Sequence, residues 1–315
     1  MHQIVDCERD LNPQDRESGR CVVKENTKLY LILALTILIW GNSFVVVQVA
    51  INDGASPTLI AMARFLVASS IFGGYILLKR PKMFERADTR KFLFLAFIGI
   101  GVYYIFQYYG VKFAGPSISA ILVTLLCPVM IFLLSYLRLG ERIGPGQKVG
   151  LAVSVVGSYF VITDGTVAFA SRWEALLGGL FGVVCAVFWA IFTVEGKKLV
   201  KKYDPFISTA YIALIGTVML APFAVVDAEI FQPVAFPLSF FVAALYLGVL
   251  CTVIGYVFWF RALTGLTASS TGATLYFEPV VTVIFAWIIL GQGIGWLTAM
   301  GGILVLFGVI LVSRR

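Results

Sequence analysis

The stretch "CPVMIFLLSYLRLGERIGPGQKVGLAVSVVG" (residues 127–157) returns in altered form as "EPVVTVIFAWIILGQGIGWLTAMGGILVLFG" (278–308). With a shift of 151, Pro128 meets Pro279, Val129 meets Val280, and Leu139-Gly140 meets Leu290-Gly291. Gly144, Gly150 and Gly157 then meet Gly295, Gly301 and Gly308. Leucine and valine coincide by chance in any apolar chain, but one proline and four glycines in order do not. A further anchor lies upstream, where Trp40 matches Trp189. The chain reads as a tandem duplication.

What was duplicated is built for lipid. Of the 315 residues, 60% are apolar and 13% charged, against about half and about a quarter in a soluble domain. Apolar runs near the ~20 residues that a helix needs to cross a hydrocarbon core recur at 29–51, 56–78, 91–110, 115–137, 147–163, 174–194, 205–226, 238–260, 267–290 and 295–312. The alternating pattern of a membrane barrel is absent. An all-α integral membrane protein is expected, with residues 1–28 as a loose polar tail and the first span as its targeting element. Each half, 29–163 and 174–313, holds five spans. An odd number makes the second half enter from the opposite side, giving ten transmembrane helices as two inverted five-helix repeats. Such repeats hold a substrate site near the midplane and rock around it.

Charge placement gives the expected orientation. One side of the spans collects 21 lysines and arginines, from Arg9 through Lys91, Arg138 and Lys202 to Arg315; the other holds Lys112 and Arg172. Both termini are therefore expected in the cytoplasm of a cell-membrane protein. The net charge of +7 is a topology signal, and no nucleic-acid partner is implied. Five cysteines (Cys7, Cys21, Cys127, Cys185, Cys251) and the single His2 show no ligand spacing, so no metal or cofactor is expected. No aspartate-rich site, histidine base or nucleophile elbow suggests an enzyme. The oligomeric state is left open.

The chain resembles the drug/metabolite transporter superfamily, in particular its EamA-type exporters with ten spans. The likeness rests on "WGNSF" (40–44), on Arg64 in "MARFLVA" (62–68), and on the paired proline-to-Leu-Gly signatures ending in Glu141 and Gln292. Gln292 departs from the family, which usually repeats the glutamate there. The resemblance implies efflux of small metabolites such as amino acids, or of drugs. Sister branches exchange nucleotide sugars or phosphosugars, but phosphates call for lysine or arginine clusters in the cavity, and away from the span edges the sequence offers no intramembrane lysine and one arginine. A non-transporting scaffold is the remaining alternative.

The most conspicuous residue is Glu278. It lies about 18 Å into the ninth span at ~1.5 Å per residue, where an ionisable group costs about 3 kcal/mol or more. Pro279 beside it cannot donate a backbone hydrogen bond and is expected to leave a carbonyl one turn back unpaired. Glu278 thus reads as a substrate-binding and proton-coupling candidate, or as a neutral acid packing the halves. Its repeat mate is Cys127, so the carboxylate is one-sided. Arg64 reads as an arginine snorkelling outward or pairing with a helix end, or as half of a salt bridge made in one access state. Tyr104, Gln107 and Tyr108 share one helix face and are candidate cavity residues, with an outer aromatic belt as the alternative for Tyr108. Trp40, Asn42 and Trp189 complete the candidate binding set. Gly146, Gly150, Ser154, Gly157, Gly301 and Gly308 read as close helix packing.

Overall fold

The computed structural model describes residues 13–142, 144–163, 173–226, 236–290 and 295–313. It is an all-α bundle. The helices are α1 (Pro13–Asn52), α2 (Pro57–Lys79), α3 (Thr89–Ala96), α4 (Tyr103–Leu139), α5 (Pro145–Thr163), α6 (Trp173–Leu199) and α7 (Pro205–Val226). They continue as α8 (Leu238–Leu245), α9 (Gly255–Gly265), α10 (Ala268–Ala273), α11 (Glu278–Leu290) and α12 (Trp296–Ser313). Among the described residues seven helical stretches are long and apolar enough to cross a membrane, and Leu126–Leu139 and Ala299–Val312 are shorter apolar helices. Large apolar side chains such as Leu78 and Val226, each 84% exposed, face outward, as a lipid-facing surface requires and a water-facing one disfavours. The protein is a multi-pass membrane protein.

Local chemistry sets the helix starts. Ser56 caps α2 by accepting from the Leu59 amide, with Pro57 at the first turn. Asp204 does the same for α7 through the amides of Phe206 and Ile207, ahead of Pro205. A proline that lacks an N–H is tolerated at a helix start because that donor has no partner there anyway. Helix α1 begins at Pro13, so part of the expected loose tail is helical. Extending a helix already nucleated by a membrane span fixes one residue per added hydrogen bond and is far easier than starting one.

The helical run Tyr103–Leu139 is not one straight rod. Gln107 and Cys127 line the same cavity, whereas a straight helix would set them about 30 Å apart. Lys91 and Arg138 likewise share a cleft at one end of the bundle. The chain therefore reverses between the expected third and fourth spans. Around that cleft Lys198 and Lys202 join Lys91 and Arg138, so several residues of the lysine- and arginine-rich side gather at one end.

Two irregular segments recur at matching places. Residues Phe97–Gly101 and Tyr246–Ile254 are π-helical, and their first residues are separated in sequence by the same interval as Trp40 and Trp189. Each crosses the second helix of the other half. A Cβ on Gly248 would stand 2.6 Å from Val67, and one on Gly216 would stand 2.6 Å from Ile100. The last helices of the halves, α5 and α12, pair reciprocally. A Cβ on Gly150 would meet the Gly308 carbonyl at 2.6 Å, and one on Gly157 the Gly301 carbonyl at 2.8 Å. The rising and falling numbers make the two helices antiparallel, with backbones too close for any larger residue. Gly146 takes no part, since nothing lies within 4 Å of its would-be Cβ.

Candidate functional site

Where the halves meet, a cavity of about 40 Å³ is lined by Trp40, Ser43, Phe44, Arg64, Tyr103, Tyr104, Gln107, Val123, Cys127, Trp189, Leu275 and Glu278. That space holds a few waters. Five of the seven expected binding residues are on this wall: Trp40, Tyr104, Gln107, Trp189 and Glu278.

The π-helical segment Tyr246–Ile254 supports two wall residues from behind. Widening the helix leaves carbonyls and hydroxyls turned sideways, which is why such segments gather at sites. The Trp40 indole donates to the Cys251 carbonyl at 2.9 Å, an approach that Gly255 alone permits, because a Cβ there would collide with the indole. Thr252, from the same segment, accepts from Arg64 Nε at 2.7 Å.

Arg64 is 3% exposed and does not snorkel. Its second nitrogen donates to the Tyr108 hydroxyl at 3.0 Å, and its guanidinium lies 4.3 Å from the Tyr104 ring centroid. Two neutral acceptors and a π face hold the charge inward. Among the described residues no carboxylate pairs with it. Tyr108 is therefore neither a cavity wall nor an outer-belt aromatic; it is 1% exposed and anchors Arg64 from behind. Asn42 also lies off the cavity, beside Tyr246, and its Oδ1 has no partner.

Glu278 is 8% exposed and shares the cavity with its repeat mate Cys127. Among the described residues nothing hydrogen-bonds its carboxyl group. The expected free carbonyl near Pro279 is absent. Thr274–Phe277 tighten into a 3-10 turn, the Glu278 amide binds the Leu275 carbonyl, and Pro279 falls in the first turn of α11. The shorter i→i+3 bond absorbs what the proline would have broken.

An aromatic cluster forms the remaining wall. Trp40 and Trp189 meet edge to face at 5.2 Å, and Trp189 also packs on Tyr103, Tyr256 and Trp259. Tyr104 and Tyr256 hydroxyls stand 2.7 Å apart. The Trp189 indole N–H is buried without an acceptor. Sequence reading missed Tyr103, Tyr256 and Thr252, because aromatics and threonines are unremarkable in an apolar span until a partner is known.

A multi-pass bundle with Arg64 and Glu278 on the wall of one buried cavity fits a membrane transporter. The profile of the EamA-like transporter family matches residues 27–163 and again 176–314, and the chain belongs to that family, within the drug/metabolite transporters. It is 33% identical over 291 residues to an uncharacterized transporter of Archaeoglobus fulgidus, covering 92% of this chain and 99% of that one. A probable terminal-alkyne amino-acid exporter of Streptantibioticus cattleyicolor is 29% identical over 296 residues, with 92% and 94% covered. A probable amino-acid metabolite efflux pump of Escherichia coli K12 is 22% identical over 285 residues, with 88% and 92% covered. A solved crystal structure superposes with a TM-score of 0.74 at 21% identity, over 91% of this chain and 96% of that one, and shares the fold. The protein is a membrane transporter of small solutes.

Proposed function

We propose that the protein exports amino acids or related zwitterionic or cationic solutes across the cell membrane by alternating access. The observation that carries this reading is one cavity holding Arg64 and Glu278, which among the described residues have no acidic partner and no hydrogen-bond partner respectively. A buried charge left unpaired costs several kcal/mol, and a solute with both a carboxylate and an ammonium group answers both. Trp40, Trp189 and Tyr104 suit an apolar side group between them. The names of the Streptantibioticus and Escherichia relatives support amino-acid chemistry. A phosphorylated solute fits less well, because Arg64 is the only cation on the wall.

In the same reading the chain is two inverted five-span repeats, 29–163 and 174–313, ten spans in all, with both termini cytoplasmic. The doubled family match, the repeated π-helical segments and the reciprocal glycine contacts support it. Reciprocal pairing, residue i on j and the mate of j on the mate of i, is the mark of a two-fold axis. Glu278 takes a proton on one side and releases it on the other, which couples the solute to the pH gradient.

The test is counterflow in proteoliposomes with an amino acid, its amide and its decarboxylated amine. The amino acid should exchange best, and Arg64→Ala should abolish its exchange while Arg64→Lys restores only a fraction, since lysine lacks the fork. Equal exchange of all three solutes by the wild-type protein would refute the zwitterion reading.

A further inference from the structure

Resting on the alternating-access reading, we propose that Glu141 and Lys197 form a latch that holds one mouth of the cavity shut, and that the opposite mouth has none. Gly140 ends α4 in the left-handed region at φ 65°, which turns the following residue back over the start of α10. There Glu141 accepts from the Ala268 amide at 2.8 Å, the Ser269 amide at 3.1 Å and the Ser269 hydroxyl at 2.8 Å. Lys197 of α6 closes the set, 3.1 Å from Glu141 and 2.6 Å from the Leu266 carbonyl. The two charged side chains are 11% and 13% exposed. Water is largely excluded, so these charge-assisted bonds are strong.

The latch joins the same elements that wall the cavity. Cys127 leads along α4 to Glu141, Trp189 along α6 to Lys197, and Glu278 back to Ala268, each over about 12–21 Å of helix. Pinning all three at that distance shuts the route out at the lysine-rich end. Ser135 and Ser269, with hydroxyls 2.6 Å apart, extend the tie one turn inward.

In the sequence, the duplicated positions are neutral. Gln292 follows Gly291 as Glu141 follows Gly140, and Gln48 stands as far after Trp40 as Lys197 does after Trp189. "GPSIS" (115–119) retains Ser117 and Ser119 where "GLTAS" (265–269) has Thr267 and Ser269. The hydroxyls are thus kept and the ion pair is not; Gln48 spends its amide on Asn52 at 2.8 Å. The resting protein is biased towards opening at the glutamine mouth, and opening the latched mouth is the step that a bound solute must drive.

The native Cys127, on the cavity wall, reports which mouth is open. Membrane vesicles of both orientations are treated with an impermeant maleimide, and labelling of Cys127 is read by peptide mass mapping. Glu141→Gln and Lys197→Gln should each raise labelling from the latched side about tenfold, the factor carried by losing one charge-assisted hydrogen bond. Labelling from the other side should fall. The double variant should gain little over either single one, because the pair acts as a unit. Gln48→Lys combined with Gln292→Glu should slow labelling from the unlatched side. A ratio between the two sides that is unchanged in both single variants overturns the latch, even if melting temperature drops, since that would be a structural tie only. If Glu141→Gln does not fold, Lys197→Gln and the glutamine-mouth variant decide. Labelling needs no solute, so a shifted ratio without amino-acid counterflow would sink the proposed solute and leave the latch standing.

Discussion

In the first half, the second helix carries Arg64 into the cavity; at the corresponding turn of the second half stand Ile212 and Ala213, both fully buried. In the second half, Glu278 faces the cavity, and its mate in the first half is Cys127. The latch follows the same rule, with Glu141 and Lys197 against Gln292 and Gln48. Residues that set backbone geometry are kept in both copies: the glycines of α5 and α12, the π-helical starts, the capped Ser56-Pro57 and Asp204-Pro205. In the proposed alternating-access reading, duplication supplies a scaffold that can face either way. One-sided charges make the two directions unequal.

The kept positions should respond alike. Gly157→Ala and Gly308→Ala each put a methyl group against backbone that cannot move, and each should lose about 2 kcal/mol. Thermal melting in detergent measures both. A large loss at one and none at the other would break the symmetry on which the comparison rests.

The one-sided positions should respond unequally. Glu278→Gln should keep solute exchange at equal pH and lose more than about tenfold of accumulation driven by a pH step, whereas Cys127→Ser should leave both intact. Aspartate at 278 should recover part of the driven transport, because it keeps the acid and shortens its reach. Full pH-driven accumulation by Glu278→Gln, measured in proteoliposomes, would remove the proton from the mechanism.

The paired tryptophans lie between these extremes, being duplicated yet differently bonded. Trp40 has its acceptor in Cys251, and the Trp189 N–H has none. Trp40→Phe should therefore loosen the α1 contact and lower stability by about 1 kcal/mol. Trp189→Phe should leave melting unchanged and weaken solute affinity a fewfold. Reversed outcomes would place the solute against Trp40.

The smallest effect concerns pH at the latch. Burial pushes the Glu141 carboxyl up, but the Ala268 and Ser269 amides and Lys197 outweigh it and hold the group below the usual carboxylate range. A depressed folded value means that the stabilisation is present above about pH 4.3 and is lost as pH falls through the lower folded value. Wild type should out-melt Glu141→Gln near neutrality, with the gap closing only below about pH 4. A gap independent of pH would show that the charge is idle.

How much of this was legible beforehand follows from what kind of physics each feature obeys. The all-helical membrane fold could be read because a hydrocarbon core imposes length and apolarity on every span. The duplication could be read because glycine and proline mark backbone geometry, which side-chain drift does not erase. Glu278 stood out because a carboxylate has no business in lipid without a reason.

Tertiary structure decided what depends on a partner. Arg64 faces inward because Tyr104 and Tyr108 of α4 and Thr252 of the π-helical segment converge on it. Tyr108 became a support and Asn42 left the wall, since a helix face in sequence does not say which neighbour it meets. The 3-10 turn before Glu278 re-paired a carbonyl that proline chemistry alone would leave open. Glu141, two residues beyond the end of α4, gained its role only when folding brought the start of α10 beneath it. One-body preferences such as hydrophobicity and backbone strain belong to the sequence, whereas pairwise terms need coordinates.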